Sequence, residues 1–331
     1  MKAAYYEQVG DAKDVFRIGE VPTPTPGPGE VRVRVVVSGV NPSDTKRRAG
    51  WGGPMNVPMI IPHQDGAGII DSVGPGVPET RVGERVWIYE ALVGGTMGTA
   101  AQFTVLPSAN AVKMDDAVSF EAGASIGLPG LTAYHLLFDE RPLEGLTVLV
   151  QGGGGSVGGI AIQLAIAAGA RVIATAGSDD RVQYARNAGA EFVVNSQTDD
   201  VVARIRDYTG EDTPIDRVIE GDFVRNFATS VELLKTSGVI SVLMVSNDHG
   251  VSGAAIDFNA LVIKDATVHF AMVFGMSSEK RARGVDFLNA ALRNGDLRPS
   301  ILRQFAIDDI ASAHDFLGIA GAGGKVLIKL D

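Results

Sequence analysis

The sequence has no cysteine and only five histidines among its 331 residues. Without cysteine the chain has no disulfide, no thiol nucleophile and no zinc site built on cysteine. The missing thiols also agree with a reducing cytoplasm, where we expect the protein to work. Any chemistry that this chain performs therefore depends on other side chains or on a cofactor.

Runs of positive charge and long apolar runs are also missing. The formal net charge is −10 at pH 7, which disfavours nucleic acids and anionic membranes as partners. The most apolar stretch, IAIQLAIAAGARVIATA, is interrupted by Gln163, Gly169 and Arg171, so it does not predict a membrane span. The first residues lack the apolar segment of a signal peptide. We expect a soluble cytoplasmic protein that binds a small molecule and neither nucleic acid nor membrane.

Two kinds of pattern follow one another along the chain. Up to about residue 113, short segments such as EVRVRVVVSGV alternate with the two-residue period of half-buried strands. After about residue 119, apolar segments such as RVIATAG alternate with helical segments such as SVGGIAIQLAIAAGA. This second pattern is typical of a parallel sheet covered by helices on both faces. We predict a two-domain α/β protein with a β-rich, barrel-like unit and a doubly wound parallel sheet.

Two local predictions are less regular. SFEAGASIGLPGLTAYHLLF has helical spacing that we expect to be interrupted at Gly127 and Pro129. FATSVELLKTSG, near residue 230, predicts a helix, followed by a strand in VISVLMV.

A glycine motif lies directly between a predicted strand and a predicted helix. Gly153, Gly155 and Gly158 match G-x-G-x-x-G, and Ser156 and Val157 open the helix. In a strand–helix–strand unit these glycines permit a tight turn, close approach of a pyrophosphate and close helix packing. The pyrophosphate would bind the N–H groups at the helix N-terminus. The sequence therefore predicts a dinucleotide site, with glycines that serve packing alone as the alternative.

The nature of the dinucleotide depends on the end of the second strand. That strand runs out in small residues up to Ser178, which leaves room for a 2′-phosphate, and Arg181 follows in position to bind it. Asp179 and Asp180 would instead repel a phosphate and favour NADH. We expect NADPH, with NADH as the alternative.

These segments resemble a known family over nearly the whole chain. The matching stretches are SGVNPSDTKRRAG, PHQDGAGIIDSVGPGV, RVGERVW, GTAAQFTVLP, GLTAYHLL, QGGGGSVGGIAIQLA and GAGGKVLIKL. Their order is similar to that of the medium-chain dehydrogenase/reductase superfamily, in its zinc-free quinone oxidoreductase (zeta-crystallin-like) branch. The resemblance implies a GroES-like catalytic domain over residues 1–125 and 270–331 and a Rossmann domain over 126–269, with the active site in the cleft between them. It also implies a homodimer.

The resemblance implies that the family's catalytic zinc is absent. Asn41 stands where the zinc enzymes have a cysteine, Gln64 where they have a histidine, and Asp65 where they have a glutamate. An amide oxygen is a poor zinc ligand beside thiolate or imidazole. Without a Lewis acid, the favoured acceptors are quinones and conjugated enones, in which the developing charge is delocalised. We expect an NADPH-dependent reductase of a quinone or related conjugated carbonyl compound.

Site residues follow from the same resemblance. Asn41 is the expected hydrogen-bond donor beside nicotinamide and substrate, Asp44 shapes its loop, and Thr132 lies near the nicotinamide. Asp44 and Thr132 have structural alternatives, the latter a hydroxyl bonded to its own helix backbone. Met244 and Val245 are expected near the nicotinamide. The expected substrate pocket consists of Trp51, His63, Gln64, Phe270 and Phe274. Packing is the alternative role for His63 and for the two phenylalanines.

The sequence also departs from the family and leaves functions open. Ser196 follows Asn195 where the family has a tyrosine that contacts NADPH, which weakens the NADPH prediction. A double-bond reductase of a biosynthetic pathway would use the same fold and hydride together with a proton donor, for which Lys46, Tyr134 and His63 are candidates. A zinc-free carbonyl reductase and a non-catalytic NADPH-binding sensor also agree with these motifs.

Overall fold

A computed structural model describes residues 1–138, 141–243, 256–319 and 323–330. The chain forms two compact units, the first comprising residues 1–128, 299–320 and 325–331 and the second comprising 129–298 and 321–324. No helix in the described ranges is long and apolar enough to cross a membrane.

The first unit is the predicted β-rich unit. Its helices are short: α1 (Ala12–Val15), α2 (Pro42–Arg48), α3 (Phe120–Gly123) and α11 (Ile310–Ile319). Its strands are β1 (Lys2–Tyr5), β2 (Arg17–Glu20), β3 (Glu30–Val40), β4 (Asp65–Val73), β5 (Arg85–Ile88), β6 (Phe103–Pro107), β7 (Ala111–Lys113), β14 (Ile301–Ala306) and β15 (Lys325–Lys329).

Strand β3 organises this unit. The seven-stranded sheet has the order β14-β15-β3-β4-β5-β7, and β6 also pairs with β3. The alternating valines of β3, including Val31, Val33 and Val35, are buried as their period predicts. β15 pairs antiparallel with the end of β3, with Val326 opposite Val40. The last strand of the chain is thereby brought next to the loop that follows β3.

The second unit is the predicted doubly wound domain. Its strands are β8 (Thr147–Val150), β9 (Arg171–Ala176), β10 (Phe192–Asn195), β11 (Ile215–Glu220), β12 (Leu234–Val242) and β13 (Thr267–Phe270). Its helices are α4 (Gly127–Leu137, which begins in the first unit), α5 (Ser156–Ala167), α6 (Asp179–Asn187), α7 (Val201–Thr209), α8 (Phe223–Leu233), α9 (Phe258–Ile263) and α10 (Ser278–Asn294).

All six strands of this sheet are parallel, in the order β10-β9-β8-β11-β12-β13. The chain first moves outward from β8 to β10 and then returns to add β11 on the other side of β8. Ligands of open parallel sheets bind at the carboxyl ends of the strands where this reversal occurs. The carboxyl end of β8 is the start of the glycine motif.

Three local predictions differ from the structure. Helix α4 runs from Gly127 through Pro129 without a break, because a proline in the first turn removes an N–H that has no partner within the helix. Helix α8 ends at Leu233, and the LKTSG that follows belongs to β12. Residues 270–298 pack in the second unit, because α10 meets α4 through the Phe287 ring, which lies 5.8 Å from that of Tyr134.

Candidate active site

Asn41 joins strand β3 to helix α2 in the first unit. It is the N-cap of α2, with extended backbone (φ −114°, ψ 155°), and Pro42 occupies the first helical position. The Asn41 backbone N–H donates to Asp44 Oδ2 over 2.8 Å. This bond fixes the loop that carries the Asn41 side chain.

The Asn41 side chain, Asp65 and Lys325 form a buried network. Lys325 Nζ lies 2.6 Å from Asn41 Oδ1 and 2.6 Å from Asp65 Oδ2. Asn41 Nδ2 donates to the same Asp65 oxygen over 2.8 Å. Asp65 Oδ1 accepts the backbone N–H of Leu128 over 2.7 Å. Each of the three residues of the network is at most 4 % exposed, so the ion pair is almost completely removed from water.

This arrangement fixes the orientation of the Asn41 amide. Ammonium is only a donor and an ionised carboxylate is only an acceptor, so the oxygen must face Lys325 and the nitrogen must face Asp65. An amide nitrogen carries two hydrogens, and the bond to Asp65 uses one of them. A hydrogen bond from a cation draws electron density from the amide oxygen and makes the remaining N–H a stronger donor.

Asp44 lies beneath the same loop, with 4 % exposure. Burial raises the pKa of Asp44 to about 7, and the nearby Asp65 contributes to the rise, while the Asn41 N–H and Lys325 oppose it. Its carboxyl group is therefore partly protonated near neutral pH. The predicted loop-shaping role agrees with its bond to the Asn41 backbone.

His63 and Gln64, which the sequence predicts in the substrate pocket, are both buried in the first unit. His63 is completely buried, and its ring nitrogens contact Ser38 and His314. Gln64 is buried, and its Oε1 accepts the backbone N–H of Leu92 over 3.0 Å. Both side chains therefore hold the interior of the first unit together.

The three aromatic pocket candidates lie at the surface. Trp51, in the loop after α2, is 62 % exposed, and Phe274 is 43 % exposed. Phe270, at the end of β13, is 58 % exposed and makes an edge-to-face contact with Phe223 at 5.7 Å. Trp51 belongs to the first unit, and the two phenylalanines belong to the second.

The glycine motif lies where the sequence predicts it, between β8 and α5. Gly152 has a left-handed backbone (φ 79°) that turns the chain out of β8. A side chain at Gly153 would press on Ala174, and one at Gly158 would collide with the carbonyl oxygen of Gly152. These two glycines are required by the packing of the loop itself.

Gly155 is different, and it provides the test of whether a dinucleotide fits. It is the N-cap of α5, with an ordinary φ of −95°. Among the described residues, a Cβ there would meet only the Gly152 oxygen, at 3.6 Å, which is an ordinary contact. The protein itself does not need glycine at this position, but a pyrophosphate approaching the first N–H groups of Ser156 and Val157 does. The loop therefore fits the group that the motif predicts.

A chain of buried polar groups supports this loop from below. Gly152 N–H lies 3.3 Å from Thr175 Oγ1, which donates to Gln151 Oε1 over 2.7 Å. Gln151 Nε2 lies 3.3 Å from Ser230 Oγ, which donates to Glu220 Oε2 over 2.9 Å. The groups lie at the ends of β8, β9 and β11 and on α8, so these side chains bond to one another beneath the glycine loop.

The residues that the sequence predicts to discriminate NADPH from NADH follow the end of β9. Ser178 caps α6 by accepting the Arg181 N–H over 3.4 Å. Arg181 packs against Gly154 so closely that a Cβ on the glycine would overlap it. Asp179 accepts a bond from Asn195 Nδ2 over 2.9 Å. Arg181 is thus held beside the loop, and Asp179 is directed toward β10.

The remaining predicted residues lie elsewhere. Thr132 is buried on α4 within the second unit. Met244 and Val245 lie outside the described residues. Within the described ranges, no group of three or more acidic or histidine side chains is arranged to hold a metal ion.

Sequence reasoning missed Lys325. The segment KVLIKL predicts a strand and nothing more, although a lysine that opens an otherwise apolar run is unusual because lysine is rarely buried without a partner. Its partner Asp65 stands out in the sequence only as a replacement for a family glutamate. The pairing depends on β15 lying beside β3, which no local pattern reveals.

Comparisons with known proteins agree with both units. Residues 27–116 match the family model described as alcohol dehydrogenase GroES-like domain, and residues 156–290 match the one described as zinc-binding dehydrogenase. A quinone oxidoreductase of Lama guanicoe is 31 % identical over 298 residues, which cover 89 % of this chain and 87 % of the relative. A 2-haloacrylate reductase of Burkholderia is 28 % identical over 306 residues, covering 88 % and 87 %. A solved mycobacterial structure complexed with NADPH is 26 % identical, covers 99 % of both chains and has a TM-score of 0.84.

Proposed function

The chain belongs to the quinone oxidoreductase branch of the medium-chain dehydrogenase/reductase superfamily and is an oxidoreductase, and we propose that it reduces a quinone or a related conjugated carbonyl compound with NADPH. The contact between Lys325 Nζ and Asn41 Oδ1 carries the proposal for the acceptor. Through this hydrogen bond Lys325 places a positive charge next to Asn41, the residue that stands where the family's zinc enzymes have a metal ligand.

The chemistry follows from what Asn41 can donate. When a conjugated carbonyl compound accepts hydride, negative charge develops on its oxygen. The second N–H of Asn41, strengthened by Lys325, donates to that oxygen. Because the charge of a quinone or enone is spread over the conjugated system, its reduction needs less stabilisation at the oxygen than reduction of a simple ketone, and we expect the hydrogen bond from the amide to be sufficient. NADPH supplies the hydride, and water supplies the proton that completes the product.

The same contact argues against zinc at this position. Asn41 Oδ1 already accepts from an ammonium group 2.6 Å away, and Gln64 Oε1 accepts from the Leu92 backbone. A divalent cation at Asn41 would be repelled by Lys325 and would have to displace it. Full turnover should survive exhaustive dialysis against a chelator, whereas activity lost on dialysis and restored by zinc would refute a metal-free mechanism.

NADPH is the proposed cofactor on three grounds. Gly155 keeps the α5 N-terminus open, Arg181 is held beside the loop, and a relative of the same fold binds NADPH. The bond from Asn195 to Asp179 also disperses the negative charge that would oppose a 2′-phosphate.

The experiment is NADPH oxidation with 1,4-benzoquinone, a short enone and a simple aldehyde as acceptors, each repeated with NADH. Asn41→Ala should lower kcat/KM for the quinone about 100-fold and change NADPH affinity by less than about two-fold. The matched control is Asn56→Ala, an exposed asparagine of the same unit. Aldehyde reduction as fast as quinone reduction, or an unaltered Asn41→Ala rate, would overturn the proposal.

A double-bond reductase is the second candidate, because the Burkholderia relative is a 2-haloacrylate reductase. Faster turnover with the enone than with the quinone would favour it. Tight NADPH binding without oxidation by any acceptor would instead indicate a nucleotide sensor.

We also propose that the protein is a homodimer joined through strand β13. Among the described residues this strand is the edge of the six-stranded sheet, and an edge strand can pair its backbone groups with another strand. Large apolar side chains beside it are exposed: Phe258 70 %, Ile263 79 %, Phe270 58 % and Met272 61 %. Two copies related by a twofold axis would cover this face with the same face of the partner.

A further inference from the structure

Four buried polar side chains form a chain of hydrogen bonds behind Asp65. Thr99 Oγ1 donates to the backbone oxygen of Asp65. Ser38 Oγ lies 2.7 Å from Thr99 Oγ1 and 2.7 Å from His63 Nδ1. His63 Nε2 lies 2.9 Å from His314 Nε2, and the two rings are stacked. All four residues are at most 1 % exposed and belong to the first unit.

The direction of every bond in this chain is determined. A carbonyl oxygen only accepts, so the Thr99 hydroxyl hydrogen points at Asp65, and Ser38 must donate to Thr99. Ser38 has then used its hydrogen, so His63 Nδ1 must donate to Ser38. In a neutral ring His63 Nε2 is then an acceptor, and His314 Nε2 must be the donor to it. His63 is therefore the Nδ1–H tautomer and His314 the Nε2–H tautomer.

The surroundings keep both rings neutral. Burial, then His314 and Lys325, lower the pKa of His63 well below its usual range. Burial, followed by the charge of Arg48, lowers the pKa of His314 to about 3. A second hydrogen on His314 would sit on Nδ1, a buried atom that contacts no acceptor among the described residues.

His63 also has an unusual backbone. Its φ is 80°, in the left-handed region that a residue with a side chain adopts at a cost. The residue lies two positions before Asp65, so this conformation sets the direction in which the chain enters β4. The His63 carbonyl accepts the Thr99 N–H over 3.1 Å, so Thr99 joins His63 and Asp65 through both its backbone and its hydroxyl.

We propose that His63 and His314 are positioning residues, a neutral imidazole pair that holds the left-handed turn before β4 and thereby places the Asp65 carboxylate against Lys325 and Asn41. The inference rests on the proposed function of that network. The turn is held from α11 by His314, from β3 by Ser38 and from the segment before β6 by Thr99. A small displacement of Asp65 would shift Lys325 away from the Asn41 oxygen and weaken the donor to the acceptor.

Histidine NMR tests the pair without any turnover. Among the five histidine rings of protein labelled with nitrogen-15 at histidine, His63 should be protonated at Nδ1 and His314 at Nε2, and neither of these two should titrate between pH 8 and pH 5. His314→Leu should remove the signals of one ring and shift those of His63. Both rings in the same tautomer, or either ring titrating in that range, would overturn the inference even if the enzyme were fully active.

Kinetics of matched variants separate positioning from packing. His314→Leu removes the donor at similar volume, and His314→Gln retains an N–H that can donate to His63. His314→Leu should lower kcat with the quinone about ten-fold while NADPH binding changes less than about two-fold, and His314→Gln should regain most of the rate. Equal rates in His314→Leu and wild type, or equal losses in both variants, would overturn the inference. If wild type turned over no acceptor, the proposed function would fail while the NMR result still decided the geometry.

Discussion

Lys325 places its ammonium nitrogen 2.6 Å from the amide oxygen of Asn41, although 284 residues separate them. The same nitrogen pairs with Asp65, so a single cation holds the Asn41 amide and neutralises a buried acid. Breaking a buried pair by removing one partner leaves an uncompensated charge, so this contact should stabilise the fold in addition to its proposed role in the reaction.

Lys325→Met should therefore reduce both activity and stability. Leaving Asp65 buried without its cation should cost about 3–5 kcal/mol of unfolding free energy. The double variant Lys325→Met/Asp65→Asn should recover much of that stability and none of the rate, because Asn41 remains unpolarised. Urea unfolding and steady-state kinetics measure the two effects. Lys329→Met, on the exposed end of the same strand, is the control, and full activity in the double variant would contradict the mechanism.

Asp44 should make stability fall as pH rises. The folded state raises the pKa of Asp44 from its ordinary value of 3.8 to about 7, so the unfolded state loses the proton first. The protonated Asp44 carboxyl stabilises the folded state fully below about pH 4. This stabilisation decreases between about pH 4 and pH 7, by no more than about 1.4 kcal/mol per pH unit. Asp44→Asn should thus gain stability over wild type across this range and keep a constant advantage above it. Urea unfolding at several pH values tests this, with exposed Asp14→Asn as control; a difference independent of pH would exclude the titration.

Arg181 should discriminate between the two dinucleotides. If it binds the 2′-phosphate, Arg181→Gln should raise KM for NADPH about ten-fold or more and leave KM for NADH nearly unchanged. Arg186→Gln removes an exposed arginine from the same helix and serves as the control. Equal effects on both cofactors would show that Arg181 acts only on the structure of the loop.

Two glycines of the motif should respond differently to alanine. The added methyl group of Gly155→Ala meets no atom closer than 3.6 Å in the part of the chain that the structure describes, so unfolding should be unchanged while NADPH binding weakens. Gly158→Ala collides with the Gly152 carbonyl and should lower the melting temperature even without cofactor. Thermal unfolding and NADPH fluorescence titration measure the pair. Loss of stability in Gly155→Ala would contradict the assignment of its space to a ligand.

The β13 edge should control oligomeric state. Phe270→Lys puts a charge in the exposed apolar face and should shift a dimer toward monomer in sedimentation analysis. Val93→Lys changes a side chain that is 51 % exposed in the other unit and should leave the mass unchanged. A monomer in the wild-type protein, or a dimer unaffected by Phe270→Lys, would refute the β13 dimer.

Local pattern is sufficient to predict most of the fold. The alternating valines of β3 reflect burial of one face of a sheet, and the strand–helix alternation after residue 147 reflects a sheet buried on both faces. In each case the burial produces a regular spacing of apolar residues in the sequence. Prediction fails at Leu234, where β12 begins directly after α8. The apolar residues of LKTSG show neither the 3.6-residue spacing of a helix nor the two-residue spacing of a strand clearly. Prediction also fails at residues 270–298, whose place is decided by the packing of α10 on α4.

The site is predictable only in part for the same reason. The glycine motif is contiguous, so its spacing alone predicts the loop. Lys325, Ser38 and His314 come from distant segments, and their contacts depend on strand order and on the left-handed turn at His63. Phe270 and Phe274 are exposed in the second unit, and their place in a substrate pocket stays a prediction.

The place of β15 in the chain has a consequence for biosynthesis. Asp65 and Asn41 leave the ribosome early, but Lys325 follows the whole of the second unit. The second unit, nearly continuous in sequence, can fold while the first is still waiting for its last strand. A nascent chain therefore passes through a stage in which the second unit can already be folded while Asp65, in the unfinished first unit, still lacks the counter-charge of Lys325. Translation that stops before β15 should yield a product that has an intact nucleotide loop and no reductase activity. Its incomplete first unit should be sensitive to proteases.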